Sequence, residues 1–225
     1  ENFRHLWNDE AYLESFRVTA VFSVLVATLG IGISLVLAIF ADRVVRGAMV
    51  YKTLLIMPYA VAPVIAGVLW VFIFSPSIGV ATFGLRALGI DWNYQMDGDQ
   101  AMLLIIIASV WKQISYNFLF FLAGLQSIPK SLIEASGDLG AGPALTLRKV
   151  ILPLALPGIA AGSIFTFSLT LGDYIIPQVI GDSTRYIGQV VYLQQGVAGN
   201  IPFAAAFSLV PIVVIGIYLW LAKRM

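Results

Sequence analysis

Glu134–Pro153, EASGDLGAGPALTLRKVILP, is a polar, charged and glycine-punctuated stretch of 20 residues. It lies between two apolar runs of membrane length. Before it, Ser127-Ile128-Pro129 ends a long hydrophobic segment, because proline fixes φ and brings no donor to a continuing helix. Ser131-Leu132-Ile133-Glu134 has the S-x-x-E spacing of a capping box, which predicts a new short helix. Gly137, Gly140 and Gly142 with Pro143 predict its end and a tight reversal. Leu132, Ile133 and Ala135 give this helix an apolar side, and a helix this short needs a docking surface to be stable.

Composition agrees with a lipid environment. Of the 225 residues, 60% are hydrophobic and 11% charged, against roughly 45–50% and 25% in soluble domains. Five segments reach the ~20 largely apolar residues that cross a hydrocarbon core of about 30 Å: Val18–Ala41, Thr53–Ser75, Ala101–Leu125, Val150–Gly172 and Ile201–Ala222. None alternates with the dyad period of a membrane barrel. Prolines 58, 63, 153, 157, 202 and 211 fall within these runs, where neighbouring helices can satisfy the freed carbonyls. The expected fold is therefore all-α, a single polytopic helix bundle with five spans and a loop over residues 127–149. Trp7, Trp70, Trp92, Trp111 and Trp220 mostly fall near span ends, as interfacial anchors do.

Positive charge orients the bundle. Arg43, Arg46, Lys52, Lys130, Arg148, Lys149, Lys223 and Arg224 fall on one side, and Arg4, Arg17, Arg86 and Arg185 on the other. The side richer in cations is cytoplasmic, which places the Glu134 loop and the carboxyl end there. The amino terminus is then outside. Nothing at the start reads as a signal peptide, so a preceding span is expected.

Lys112 is the ionisable side chain well inside a span, and such residues are functional hypotheses by default. At about 100° per residue, Lys112, Tyr116, Gln113 and Asn117 follow one another at about 0°, 40°, 100° and 140° and form one stripe. Two readings fit: a stripe lining a translocation path, or a network joining neighbouring helices. Asp173, at the outer end of the fourth span, is either a contact for a cationic solute or a solvated helix end. Gly158 and Gly162 have the small-xxx-small spacing of close helix contacts.

The chain has no cysteine and one histidine, His5. It lacks a G-x-x-x-x-G-K-[ST] loop, and no triad or carboxylate pair lies in a span. No enzyme activity, cofactor, metal or nucleic-acid partner is expected. A channel or single-component transporter, with Lys112 as gating or counter-ion residue, is the alternative of another class.

Read in steps, Glu134-Ala135-Ser136, three residues, Gly140, nine residues, Val150, one residue, Leu152-Pro153 resembles the EAA loop of ABC-importer permeases. Ser136 for Ala and Val150 for Ile are the departures. The resemblance implies a type I permease of the bacterial inner membrane, whose Glu134, Ala135, Ser136, Gly140, Leu152 and Pro153 belong to a loop coupled to the ATPase. It also implies two ATP-binding subunits, a second permease, an external solute-binding protein and a small-molecule substrate. Segments 51–70, 108–121 and 125–135 resemble sn-glycerol-3-phosphate and sugar permeases. Segments 152–181 and 199–211 resemble spermidine/putrescine permeases. A lysine suits a phosphate and repels a polyamine, which favours the former, with the polyamine permease as alternative.

Overall fold

A computed structural model describes residues 10–43, 47–181 and 185–222. Arg4, His5, Trp7, Arg46, Lys223 and Arg224 lie outside them, so the sequence readings of these residues have no structural counterpart here.

The described residues are helical throughout their ordered elements, in the order α1 (Glu10–Arg43), α2 (Ala48–Ala60), α3 (Pro63–Ile73), α4 (Val80–Ala87), α5 (Gly98–Gln126), α6 (Lys130–Asp138), α7 (Pro143–Thr146), a π-helical turn (Leu147–Ile151), α8 (Leu152–Leu171), α9 (Ile175–Ile180), α10 (Ile187–Gly196) and α11 (Ile201–Ala222). Among the described residues, four continuous stretches are long and apolar enough to cross a membrane: Tyr12–Asp42, Gly98–Gln126, Pro143–Leu171 and Ile201–Trp220.

α5 is the central helix. Asp97 caps its start, its carboxylate accepting from the backbone N–H groups of Asp99 (3.0 Å) and Gln100 (3.2 Å), which satisfies two orphan donors of the first turn. α1 and α8 pack along its length. Two apolar clusters gather about it. Leu104, Ile105, Ala108 and Val110 meet Phe22, Val26, Ile176 and Tyr186 towards one end. Phe118, Phe121, Leu122 and Leu125 meet Ala38, Ala41 and Ala155 towards the other. The polar residues from Lys112 to Asn117 occupy the level between the clusters. Tyr12 and Phe207, ring centroids 4.7 Å apart, join α1 to α11.

The apolar run Thr53–Ser75 is not one straight helix: α2 and α3 meet at an angle of 106°. Pro63 has no N–H for the carbonyl of Tyr59, and it holds Ala62 extended (φ −60°, ψ 142°), as a residue before proline prefers. The fourth span also differs from its expected bounds. The helical path begins at Pro143 and reaches Leu171 through a π turn, in which Leu152 N–H donates to Leu147 O. Pro153 denies Lys149 O its usual donor, and the wider turn accommodates that loss. Trp92 is buried in the first apolar cluster. Its indole N–H donates to Phe74 O at 3.1 Å, a carbonyl that Thr82 also reaches at 3.0 Å.

Candidate functional site

Two places bring the sequence-selected residues together: the turn structure around α6, and a cavity at the level of Lys112.

The S-x-x-E capping box predicted at Ser131 does not form. Pro129 occupies the N-cap and α6 begins at Lys130, which puts Ser131 inside the helix. The helix end is set by Gly140. Its φ of +80° is the left-handed conformation that glycine adopts without penalty. Ala141 N–H donates to Ser136 O (3.0 Å) and Gly140 N–H to Gly137 O (2.8 Å), the paired bonds of a Schellman cap. Of the other two glycines of the predicted reversal, Gly137 lies within α6, and Gly142 is the N-cap of α7, φ −69°, ahead of Pro143.

Ser136 is buried, its hydroxyl donating to Ile133 O at 2.7 Å and lying 2.9 Å from the Thr146 hydroxyl. Ile133 turns the same way, onto the cluster of Phe118 and Ile151. It therefore leaves the outward apolar side predicted for Leu132, Ile133 and Ala135. The outward face is Leu132, Ala135 and Leu139, spaced i, i+3, i+7; Leu139 is 88% exposed. Glu134 is exposed beside it. Leu152 and Pro153 lie apart from this face, at the junction of the π turn and α8.

The cavity, about 210 Å³, is lined by Pro63, Ser109, Lys112, Gln113, Tyr116 and Asp173, together with residues flanking Asp173. It thus brings three of the four stripe residues together with Asp173, a proximity the sequence did not indicate. Asp173 is half-buried, just past the end of the fourth span. It follows α8, accepts from Ile175 N–H at 3.2 Å, and faces the cavity across from α5. The intervening α9 dips into the bundle: Ile176, Pro177 and Ile180 are buried. A Cβ on Gly67 of α3 would come within 2.8 Å of Val179, so the two helices approach closely.

Lys112 is the middle residue of α5, and its ammonium reaches the break between α2 and α3. It donates to Pro58 O at 3.2 Å and to Val61 O. It also sits 5.8 Å from the centre of the Tyr116 ring, which meets Tyr59 edge-on at 5.1 Å. A cation at a helix C-terminus, charge-bonded to carbonyls of its last turn and of the break that follows, is favourable at a buried site.

Asn117 separates from the stripe. It is fully buried, and its Oδ1 accepts from Thr166 of α8 at 2.9 Å. Gly162, one turn before Thr166, provides room for it: a Cβ there would lie 2.9 Å from Asn117 Oδ1 and 2.8 Å from Phe121. At Gly158 a Cβ would lie 3.0 Å from Gly124 Cα and 3.1 Å from Phe120 O. The small-xxx-small pair therefore seats α8 directly on α5.

Sequence reading missed Pro58 and Val61, whose carbonyls hold Lys112, along with Ser109, Thr146 and Thr166. Two prolines five residues apart inside one apolar run were the signal for the first pair.

The model of the family described as "Binding-protein-dependent transport system inner membrane component" matches residues 18–225. The sn-glycerol-3-phosphate transport system permease protein UgpA of Yersinia pseudotuberculosis serotype I (strain IP32953) is 56% identical over 156 residues, 69% of this chain and 53% of that protein. UgpA of Agrobacterium fabrum (strain C58 / ATCC 33970) is 45% identical over 222 residues, 95% of this chain and 75% of that protein. The chain spans about half the length of the Yersinia relative. Among solved structures, a bacterial alginate ABC transporter in complex with an alginate pentasaccharide-bound periplasmic protein superposes with a TM-score of 0.86 at 22% identity, covering 100% of this chain and 81% of that one. The MetNI methionine ABC transporter in an inward-facing conformation gives 0.70 at 18% identity, covering 95% and 94%. At these identities the structural matches speak for the fold alone.

Proposed function

This chain belongs to the family of binding-protein-dependent transport system inner membrane components, and on that premise we propose that it is the permease subunit of an ATP-driven importer for sn-glycerol 3-phosphate. The observation that carries the substrate is the Lys112 ammonium in a cavity with Gln113, Tyr116 and Asp173. A monoanionic or dianionic phosphate finds a cation there, and its polyol finds an amide and a phenol. The UgpA relative aligned over 95% of the chain includes much of the carboxyl-terminal part, so the polyamine reading of that part is not favoured.

In this reading the chain lies in the bacterial cytoplasmic membrane with α6 on the cytoplasmic side. It pairs with a second permease subunit, two ATP-hydrolysing subunits and an extracytoplasmic solute-binding protein. The exposed Leu132–Ala135–Leu139 face, with Glu134 beside it, seats on an ATPase subunit. The Schellman cap at Gly140 and the Ser136–Thr146 contact make α6 a firm lever on α8. Closure of the ATPases around ATP would then be transmitted through α8 to α5 and the cavity.

The test is recovery of the tagged full-length protein from native membranes in a mild detergent, with partners identified by mass spectrometry. An ATPase and a solute-binding protein that binds sn-glycerol 3-phosphate are the expected companions. A solute-binding companion that takes up spermidine would replace the substrate. Repeated recovery of the chain alone would favour a channel or single-component transporter.

A further inference from the structure

The break between α2 and α3 leaves backbone carbonyls inside the bundle without helical partners. Pro58 O receives a bond from Val61 N–H at 3.3 Å and a second from Lys112 at 3.2 Å. Val61 O receives the ammonium as well. Lys112 comes from α5, more than 50 residues away in sequence. Two of its three donors are thus engaged at the corner where α2 and α3 diverge by 106°. Lys112 also lines the cavity, together with Pro63, the residue that starts α3.

We infer that Lys112 is a positioning residue that pins the α2–α3 corner, and that an anion entering the cavity competes with the Pro58 and Val61 carbonyls for its ammonium. A phosphate oxygen is a stronger acceptor for an ammonium than a neutral carbonyl. As the ammonium turns towards the anion, Pro58 O and Val61 O lose their charged partner and the corner loses the restraint on its angle. Cavity occupancy is thereby converted into a change of helix geometry. The competing anion is the phosphate of the proposed substrate, so this second half rests on the substrate reading. The pinning itself rests on the geometry alone.

The chain contains no cysteine, so Leu54→Cys on α2 and Phe72→Cys on α3, both at exposed positions, place one spin label on each side of the corner. The distance distribution is measured in the full-length protein within its complex, after replacing reactive cysteines of the companions. Without solute, Lys112→Met is expected to broaden or displace the distribution, and Lys112→Arg to restore it towards that of the parent. Saturating sn-glycerol 3-phosphate, delivered with the solute-binding protein, is expected to shift the parent towards the Lys112→Met distribution. A Lys112→Met distribution superimposable on the parent's overturns the pin. A parent distribution unmoved by solute, in a complex that transports it, overturns the competition. If the parent transports no sn-glycerol 3-phosphate while Lys112→Met still moves the corner, the pin stands and the substrate reading fails. Should Lys112→Met not assemble, Lys112→Gln, which removes the charge and shortens the reach to the carbonyls, takes its place in both comparisons with the same outcomes.

Discussion

The hydroxyls of Ser136 and Thr146 lie 2.9 Å apart and tie α6 to the first turn of the helical path that re-enters the bundle at Pro143. Ser136 stands where the resembled loop pattern has alanine, so this chain adds a polar tie to a contact that alanine would make by packing alone. Ser136→Ala leaves Thr146 without that partner. A hydrogen bond of this kind contributes about 1 kcal/mol net. The expected result is a slightly lower thermal midpoint of the purified complex with uptake close to the parent. Ser136→Leu, too large for a buried position, should release the ATPase on co-purification.

Gly140 and Gly142 separate conformation from space. A Cβ at either position would meet no atom within 4 Å, but Gly140 has φ +80° while Gly142 has an ordinary negative φ. Gly140→Ala should therefore cost about 1–2 kcal/mol through the left-handed backbone, and Gly142→Ala close to nothing. Gly140→Asp, which adds a charge at the same cap, is expected to abolish uptake while the protein remains in the membrane. Equal uptake by Gly140→Asp and the parent would remove the cap from the coupling role.

Glu134 is exposed on α6, beside the outward apolar face. Reversing its charge should leave this chain's own fold intact and act on whatever α6 touches. Glu134→Lys is expected to retain parental thermal stability in detergent and membrane abundance, yet to lose uptake and ATPase co-purification. Loss of stability in the isolated subunit would instead assign Glu134 a role within this chain.

What could be read in advance follows from locality. The start of α5 is legible because Asp97 bonds to N–H groups two and three residues on. α11 is legible because its apolar run is long and uninterrupted by charge. The small residues at 158 and 162 announce a close contact, though not its partner, Phe120–Gly124 on α5. The α2–α3 corner was hidden for a different reason. Hydropathy continues across Val61–Ala62, prolines are tolerated inside spans, and the lysine that completes the corner lies on another helix. The stripe on α5 likewise has one angular position per residue but no neighbours until the bundle is assembled. Asn117 meets Thr166 on α8 and leaves the cavity to the other three.

Gly158→Leu and Gly162→Val test the seating of α8 on α5. At Gly158 the obstructing atoms are backbone, Gly124 Cα and Phe120 O, so no rotamer change can relieve the clash. Overpacking of this kind costs about 1–3 kcal/mol, and separation of the helices should also break the Asn117–Thr166 bond. Both variants are expected to lower the thermal midpoint and the yield of membrane-inserted protein. Gly216→Leu on α11, where nothing lies within 4 Å, serves as the comparison and should resemble the parent.

Lys112 and Asp173 line one cavity with opposite charges, and neutralising them in turn discriminates an anionic from a cationic cargo. Lys112→Ala removes the cation that a phosphate would meet and should sharply reduce sn-glycerol 3-phosphate uptake while the ATPase still co-purifies. Asp173→Asn removes a carboxylate that repels the same phosphate. It preserves a side-chain oxygen able to accept from Ile175 N–H, so the turn after α8 keeps its bond. For an anionic cargo, uptake by Asp173→Asn should be retained or reach half-maximal rate at a lower solute concentration. For a polyamine the ranking inverts, because the carboxylate is the attractive group and the lysine the obstacle. The comparison is made with radiolabelled solutes in cells expressing the complete transporter. Loss of anion uptake in Asp173→Asn, with parental uptake in Lys112→Ala, would refute the phosphate assignment.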